Sequence, residues 1–137
     1  MKKQKMNKKP SYQKLKLELT QVFNKYIRLK GNNICVICGS QNNSTAGHVF
    51  SSVNLSTKWD ESNVFVQCMG CNLRHEYDSY PYFNWYINKF GKKKFDLLYI
   101  KHKSVVKFSN SDLQTMINIY KKKLKKIELN SESSSYE

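Results

Sequence analysis

What this chain lacks narrows it first. No apolar run approaches the ~20 residues that span a bilayer, and the N-terminal MKKQKMNKKPS has none of the apolar stretch that opens a secretory signal. Those absences predict a soluble, cytoplasmic protein with no membrane partner. Acidic residues are scarce: 10 Asp and Glu stand against 24 Lys and Arg, a formal net charge of +14 on 137 residues. Charge of that size sits on the surface and calls for a polyanion; nucleic acid is the favoured partner and a membrane surface the competing one. No internal repeat is present. The hydrophobic fraction, 39%, suits one domain with a modest core that a bound metal would help to hold.

Cysteine occurs only four times, in two close pairs, Cys35-x-x-Cys38 and Cys68-x-x-Cys71. In a reducing compartment the thiols stay free for metal. The spacing lets both thiolates of a knuckle reach one tetrahedral ion, so the two knuckles predict a structural Zn2+ site. Redox pairs or two disulfides are the alternatives. The gap between the pairs exceeds that of the shortest zinc ribbons and must hold structure of its own.

The expected class is α+β and helix-rich, a small zinc-stabilised module flanked by amphipathic helices. Residues 1–11 form a basic tail expected to be disordered, and 12–128 a single domain: a helix over 12–30, the four-cysteine core over 34–78 and a helical part over 80–128. Leu15, Leu19, Val22, Phe23, Tyr26 and Ile27 recur at helical spacing in the first helix, which Gly31-Asn32-Asn33 ends. Ala46–Ser52 and Val64–Gln67 read as strands around a polar loop at Asn54–Glu61, and a short helix follows Cys71 towards Tyr77. Pro81 opens a helix that Gly91 stops, Lys92–Tyr99 makes another, and Ser109 with Asp112 starts the last. The tail, 129–137, reads as unstructured.

Between the knuckles lie His48 and Asn63, and Asn72 follows the last cysteine. Ala46-Gly47-His48, Trp59-Asp60-Glu61-Ser62-Asn63-Val64 and Gln67-Cys68-x-x-Cys71-Asn72 resemble the NinG/Rap recombination proteins of lambdoid phages. The likeness extends to Phe23-Asn24-x-Tyr26-Ile27-Arg28, to Tyr86 through Gly91 and to Tyr120-Lys121-x-Lys123-Leu124, covering residues 20–127. More distantly the plan is similar to HNH nucleases and phage endonuclease VII resolvases, with a treble-clef-like ββα-metal core. The resemblance implies a structure-specific endonuclease acting on branched recombination intermediates, Holliday junctions or D-loops, in the host cytoplasm. It implies His48 as general base, Asn63 as the middle residue orienting it, and Asn72 as a ligand to a catalytic Mg2+ or Mn2+. Hydrolysis would leave a 5′-phosphate and a 3′-hydroxyl. Relatives often carry an acid before the histidine, where this chain has Gly47. Another carboxylate must then serve, or His48 itself binds metal; Asp60, Glu61, Glu76 and Asp78 are the candidates, Glu76 first because it lies one helical turn beyond Asn72.

Each of these residues has a plainer reading. His48 could be structural, and Asn63 and Asn72 ordinary turn asparagines. His75 is a possible ligand or a solvated side chain, and His102 reads as the plain case. Trp59 could stack on a base or pack over the zinc module, and Trp85 reads as core. Lys58, Arg74, Lys92, Lys93, Lys94, Lys121, Lys122 and Lys125 are the candidate DNA contacts, expected to work as a set. A junction needs two nicks, which predicts a homodimer, and a phage or host recombinase is a further partner. The rival reading is a non-catalytic zinc-binding accessory factor that only binds DNA. A sequence-specific HNH enzyme would need a larger base-reading surface.

Overall fold

The structure, a computed structural model, describes residues 8–134; the expectations for residues 1–7 and 135–137 lie outside it. Helix α1, Tyr12–Lys30, forms where expected. Ser11 caps it by accepting from the Lys14 N–H at 3.2 Å, and Arg28 and Lys30 sit in the last turn, where positive charge suits the helix dipole. Asn32 and Asn33 then take left-handed backbone angles and turn the chain into the first knuckle.

Two antiparallel strands make the only sheet among the described residues: β1, Ser44–His48, pairs with β2, Val64–Cys68, in register Ser44↔Cys68 to His48↔Val64. β1 stops short of the expected Ser52. The reason is Asn63, whose amide takes both backbone groups of Phe50 and so ends the ladder there. The loop expected over Asn54–Glu61 contains a turn of helix, α2, Leu55–Lys58. Helix α3, Met69–His75, begins before Cys71 because Cys68 itself occupies the N-cap, its sulfur accepting from the Cys71 N–H.

Helix α4, Tyr80–Phe90, carries Pro81 in its first turn and ends at Gly91, whose φ of +95° no other residue adopts cheaply. Helix α5, Lys92–Lys103, runs a turn beyond the expected Tyr99, because His102 in that turn is anchored against α2. Helix α6, Asn110–Ser134, starts in a reciprocal box: the Asp112 N–H donates to the Ser109 hydroxyl and the Ser109 N–H to the Asp112 carboxylate. It continues past residue 128 into the stretch expected to be unstructured. No described helix is long and apolar enough to cross a membrane.

Val64 and Phe65, neighbours on β2, point to opposite faces and join different cores. On one face α1 packs against α6 around Leu19, Phe23, Leu113 and Ile117, with Trp59 and Val64. On the other, α4 and α5 enclose Val49, Phe50, Tyr82, Tyr86 and Leu98, with Trp85 partly buried at the edge as a core residue. The hairpin and α3 are held between two helix pairs. That frame presents the end of β1 and one side of α3 to a single groove.

Candidate functional site

The four cysteine sulfurs lie within 4.8 Å of one another, and Cys38 Sγ stands 3.6 Å from Cys68 Sγ, with no disulfide among them. Tetrahedral Zn–S bonds of about 2.3 Å put sulfurs about 3.8 Å apart, so the arrangement fits such an ion. Electrostatics agree. Burial works to raise the Cys35 thiol, yet N–H groups of Cys38, Cys68 and Ile37 outweigh it and bring it to about 7. Burial and the neighbouring thiols push Cys71 far up instead. The cluster sheds one proton readily and resists losing all four unless a cation joins it. The cysteines are thus grouped to hold a metal ion such as zinc, and α3, capped by Cys68, is tied to that centre at its first turn.

Beside this centre opens a polar cavity of about 680 Å³ lined by His48, Lys58, Trp59, Asn72, His75 and Glu76, with Thr20 and Asn24 of α1 on another wall. His48 Nε2 lies 2.8 Å from the Lys58 carbonyl oxygen. A carbonyl only accepts, so Nε2 carries the hydrogen and Nδ1 is left with the lone pair. Burial pushes the ring's pKa below its ordinary 6.5; the Lys58 carbonyl opposes this and the Lys58 ammonium adds to it. His48 is therefore neutral at pH 7, with one nitrogen fixed and the other basic.

Asn63 lies outside the cavity and is fully buried. Its Oδ1 accepts from the Phe50 N–H at 2.8 Å, and its Nδ2 donates to the carbonyls of Phe50 and Thr57, both at 3.0 Å. It staples the end of β1 to α2, whose Lys58 carbonyl holds His48, so it acts on the imidazole through the backbone. Asn72 and Glu76, on one side of α3 and its end, both line the cavity without a side-chain bond of their own among the described residues.

Of the four candidate carboxylates, only Glu76 reaches this cavity. Asp60 is held by Lys101 and by Ser62; burial would raise its pKa, but those partners bring it below the ordinary value. Glu61 is taken by Lys30, Lys123 and Tyr120, and Asp78 pairs with Arg74. Position 47 offers no room for an acid. A Cβ there would overlap the buried Gln67 side chain, at its Oε1 and within 2.8 Å of its Cγ, while the Gly47 carbonyl accepts from the Tyr82 hydroxyl at 2.7 Å.

His75 is not a solvated side chain. Its Nε2 donates to the Val49 carbonyl at 2.8 Å, its ring meets Tyr82 and Phe83 edge-on, and its buried Nδ1 has no partner among the described residues. His102 is a buried hub: its ring stacks on Phe50 and bonds Thr57, while its carbonyl accepts from Asn54 and Ser56. Trp59 packs among α1 and α6, not over the zinc module, and donates its indole N–H to Thr20 Oγ1 at 3.1 Å.

The candidate DNA contacts divide. Lys58 lines the cavity itself, its ammonium over the Trp59 ring. Arg74, paired to Asp78, lines a separate small cavity beside Cys71. Lys92 pairs with Asp96 and Lys121 with Glu18. Lys93, Lys94, Lys122 and Lys125 are exposed and have no ion pair among the described residues. Sequence reasoning missed Thr20 and Asn24 as cavity residues; their signal was a pair of half-buried polar positions one turn apart beside the apolar stripe of α1.

Neither a curated protein nor a solved structure matches the chain. The family described as Bacteriophage Lambda NinG protein matches residues 1–130. Nearly all of the described fold, including both cysteine knuckles and the His48 groove, falls within that match, and the chain belongs to the NinG family.

Proposed function

We propose that this protein is a metal-dependent endonuclease acting on branched DNA recombination intermediates such as Holliday junctions or D-loops, with its four cysteines holding a structural Zn2+. The observation that carries the reading is His48: neutral, fixed through Nε2 by the Lys58 carbonyl, and lining a polar groove together with Asn72 and Glu76. Nδ1 is the base that takes a proton from the attacking water, and the Lys58 carbonyl stabilises the imidazolium that results. Asn63 keeps the carbonyl and the ring in register through Phe50 and Thr57.

Asn72 and Glu76 would hold a Mg2+ or Mn2+ ion. One carboxylate and one amide, with phosphate oxygens and water filling the rest, is a usual protein share for Mg2+. When bound, that ion neutralises charge on the scissile phosphate and the leaving 3′-oxygen. Attack in line leaves a 5′-phosphate and a 3′-hydroxyl. The unpaired lysines supply sequence-independent affinity for the backbone, and the two nicks that resolve a junction call for a homodimer. A phage or host recombinase is a fitting partner for such an activity.

A non-catalytic accessory factor that binds DNA through the same zinc module is the second reading, favoured by Gly47 where HNH nucleases and endonuclease VII resolvases often carry an acid. The test is incubation of the zinc-loaded protein with a synthetic four-way junction, a D-loop and plain duplex, with Mg2+ or Mn2+. Cleavage of the branched substrates, lost in Glu76→Gln at unchanged zinc content, is expected. Tight binding with no cut in any substrate under either cation would leave only the accessory role.

A further inference from the structure

We propose that α1 forms a second wall of the strand-binding groove, on which Lys16, Thr20 and Asn24 grip the phosphodiester backbone of the strand led to His48. The proposal rests on the nuclease reading for where the strand goes. These positions are spaced i, i+4 and i+8, so they form one ridge about 12 Å long, and all three are half-buried. The ridge flanks the apolar stripe that packs on α6.

Thr20 and Asn24 line the same cavity as His48, and they are the residues that α1 adds to a wall otherwise built by β1 and the loop after it, the Lys58–Trp59 end of α2, α3 and the start of α4. The Thr20 oxygen already accepts from the Trp59 indole N–H at 3.1 Å. Its own hydrogen makes no bond among the described residues, and neither does the Asn24 amide, so each faces the groove as a donor without a protein acceptor. Trp59 is thus the strut that fixes both Thr20 and, through its neighbour Lys58, the His48 carbonyl contact. Lys16 and Lys58 have no ion pair among the described residues, in a chain where seven basic side chains do. Burial, and then the charge of Lys16, hold the Lys58 ammonium below its ordinary pKa. Two cations that repel each other beside a groove of unused donors fit one class of ligand, an anion with several acceptor oxygens, and repeated phosphates match the length of the ridge.

The test is fluorescence anisotropy of a labelled four-way junction over a salt series, without added Mg2+, on the full chain. Lys16→Ala is expected to weaken binding about three- to tenfold near 0.1 M salt and to lower the salt slope by about one. Asn24→Ala and Thr20→Val are expected to weaken it by at least about twofold with the slope unchanged, and Thr20→Ser, which keeps acceptor and donor, to restore wild-type affinity. Lys14→Ala removes the same charge from an exposed position on the other side of α1 and is the control. Lys16→Ala matching Lys14→Ala, or Asn24→Ala and Thr20→Val both binding like wild type, would overturn the proposal. Because these are affinities, they judge the ridge even if His48→Ala were found to cut normally and the nuclease reading failed.

Discussion

At the scale of single residues, the site depends on carbonyl oxygens as much as on side chains. His48 is set by Lys58, His75 by Val49, and Phe50 and Thr57 are held by Asn63. Asn63 is the keystone, since its amide satisfies three buried backbone groups at once. Asn63→Ala should cost about 2–4 kcal/mol, because it strands those groups without water. Urea unfolding checks it; a loss below about 1 kcal/mol would mean that the clasp is dispensable. The resemblance implied that Asn63 orients the imidazole through a bond to the ring or to nearby backbone, and its amide is found on backbone, at Phe50 and Thr57. Which backbone groups those are was not legible, because the bond to Phe50 spans 13 positions; it decides where β1 ends and keeps the amide out of the groove.

At the scale of elements, local signals were legible and packed ones were not. Ser11 and the left-handed asparagines bound α1, Pro81 and Gly91 bound α4, and Ser109 with Asp112 starts α6, all through contacts within a few residues. Helix α2 and the last turn of α5 depend on His102 meeting residues more than 40 positions away, which no window along the chain displays. The start of α5 runs against its own dipole. Lys92, Lys93 and Lys94 fill its first turn, no acid is present there, and only Lys92 has an ion partner among the described residues. Replacing Lys93 and Lys94 by Glu should therefore raise thermal stability slightly, by a few tenths of a kcal/mol per site, while weakening DNA binding and its salt dependence. A calorimetric scan beside an anisotropy titration separates the two effects. Loss of stability, or unchanged affinity, would contradict this account of the helix.

For the molecule as a whole, two cross-links hold layers that no single core unites. One is the cysteine cluster, whose sulfurs bring the knuckle after α1 against the start of α3 and would join them through a bound metal ion. Cys35→Ser should lose metal and fold together, since a site of four thiolates binds cooperatively with folding; zinc content and circular dichroism falling in step is the expected result, and a folded zinc-free protein would contradict it. The other is Glu61, which receives Lys30 of α1 and Lys123 and Tyr120 of α6. Burial opposes its charge, but those partners hold the carboxyl at about 2, against an ordinary 4.5. With the folded value depressed, its stabilisation is complete above pH 4.5 and drains away as pH falls towards 2. Glu61→Gln should cost about 1 kcal/mol at pH 7, the ion pairs being partly solvent-screened, and the difference from wild type should shrink by about half at pH 3 and vanish only as pH falls below the folded value. Thermal unfolding at pH 7 and pH 3 reads this directly, and a difference that persists undiminished at pH 3 would contradict it.

The account turns on one imidazole, and its most direct test is the single-turnover cleavage rate of His48→Ala on a four-way junction with Mg2+. The variant should retain its zinc and its junction affinity and lose at least about a hundredfold in rate, the contribution expected of a positioned general base. A folded variant that cuts as fast as wild type would contradict the account.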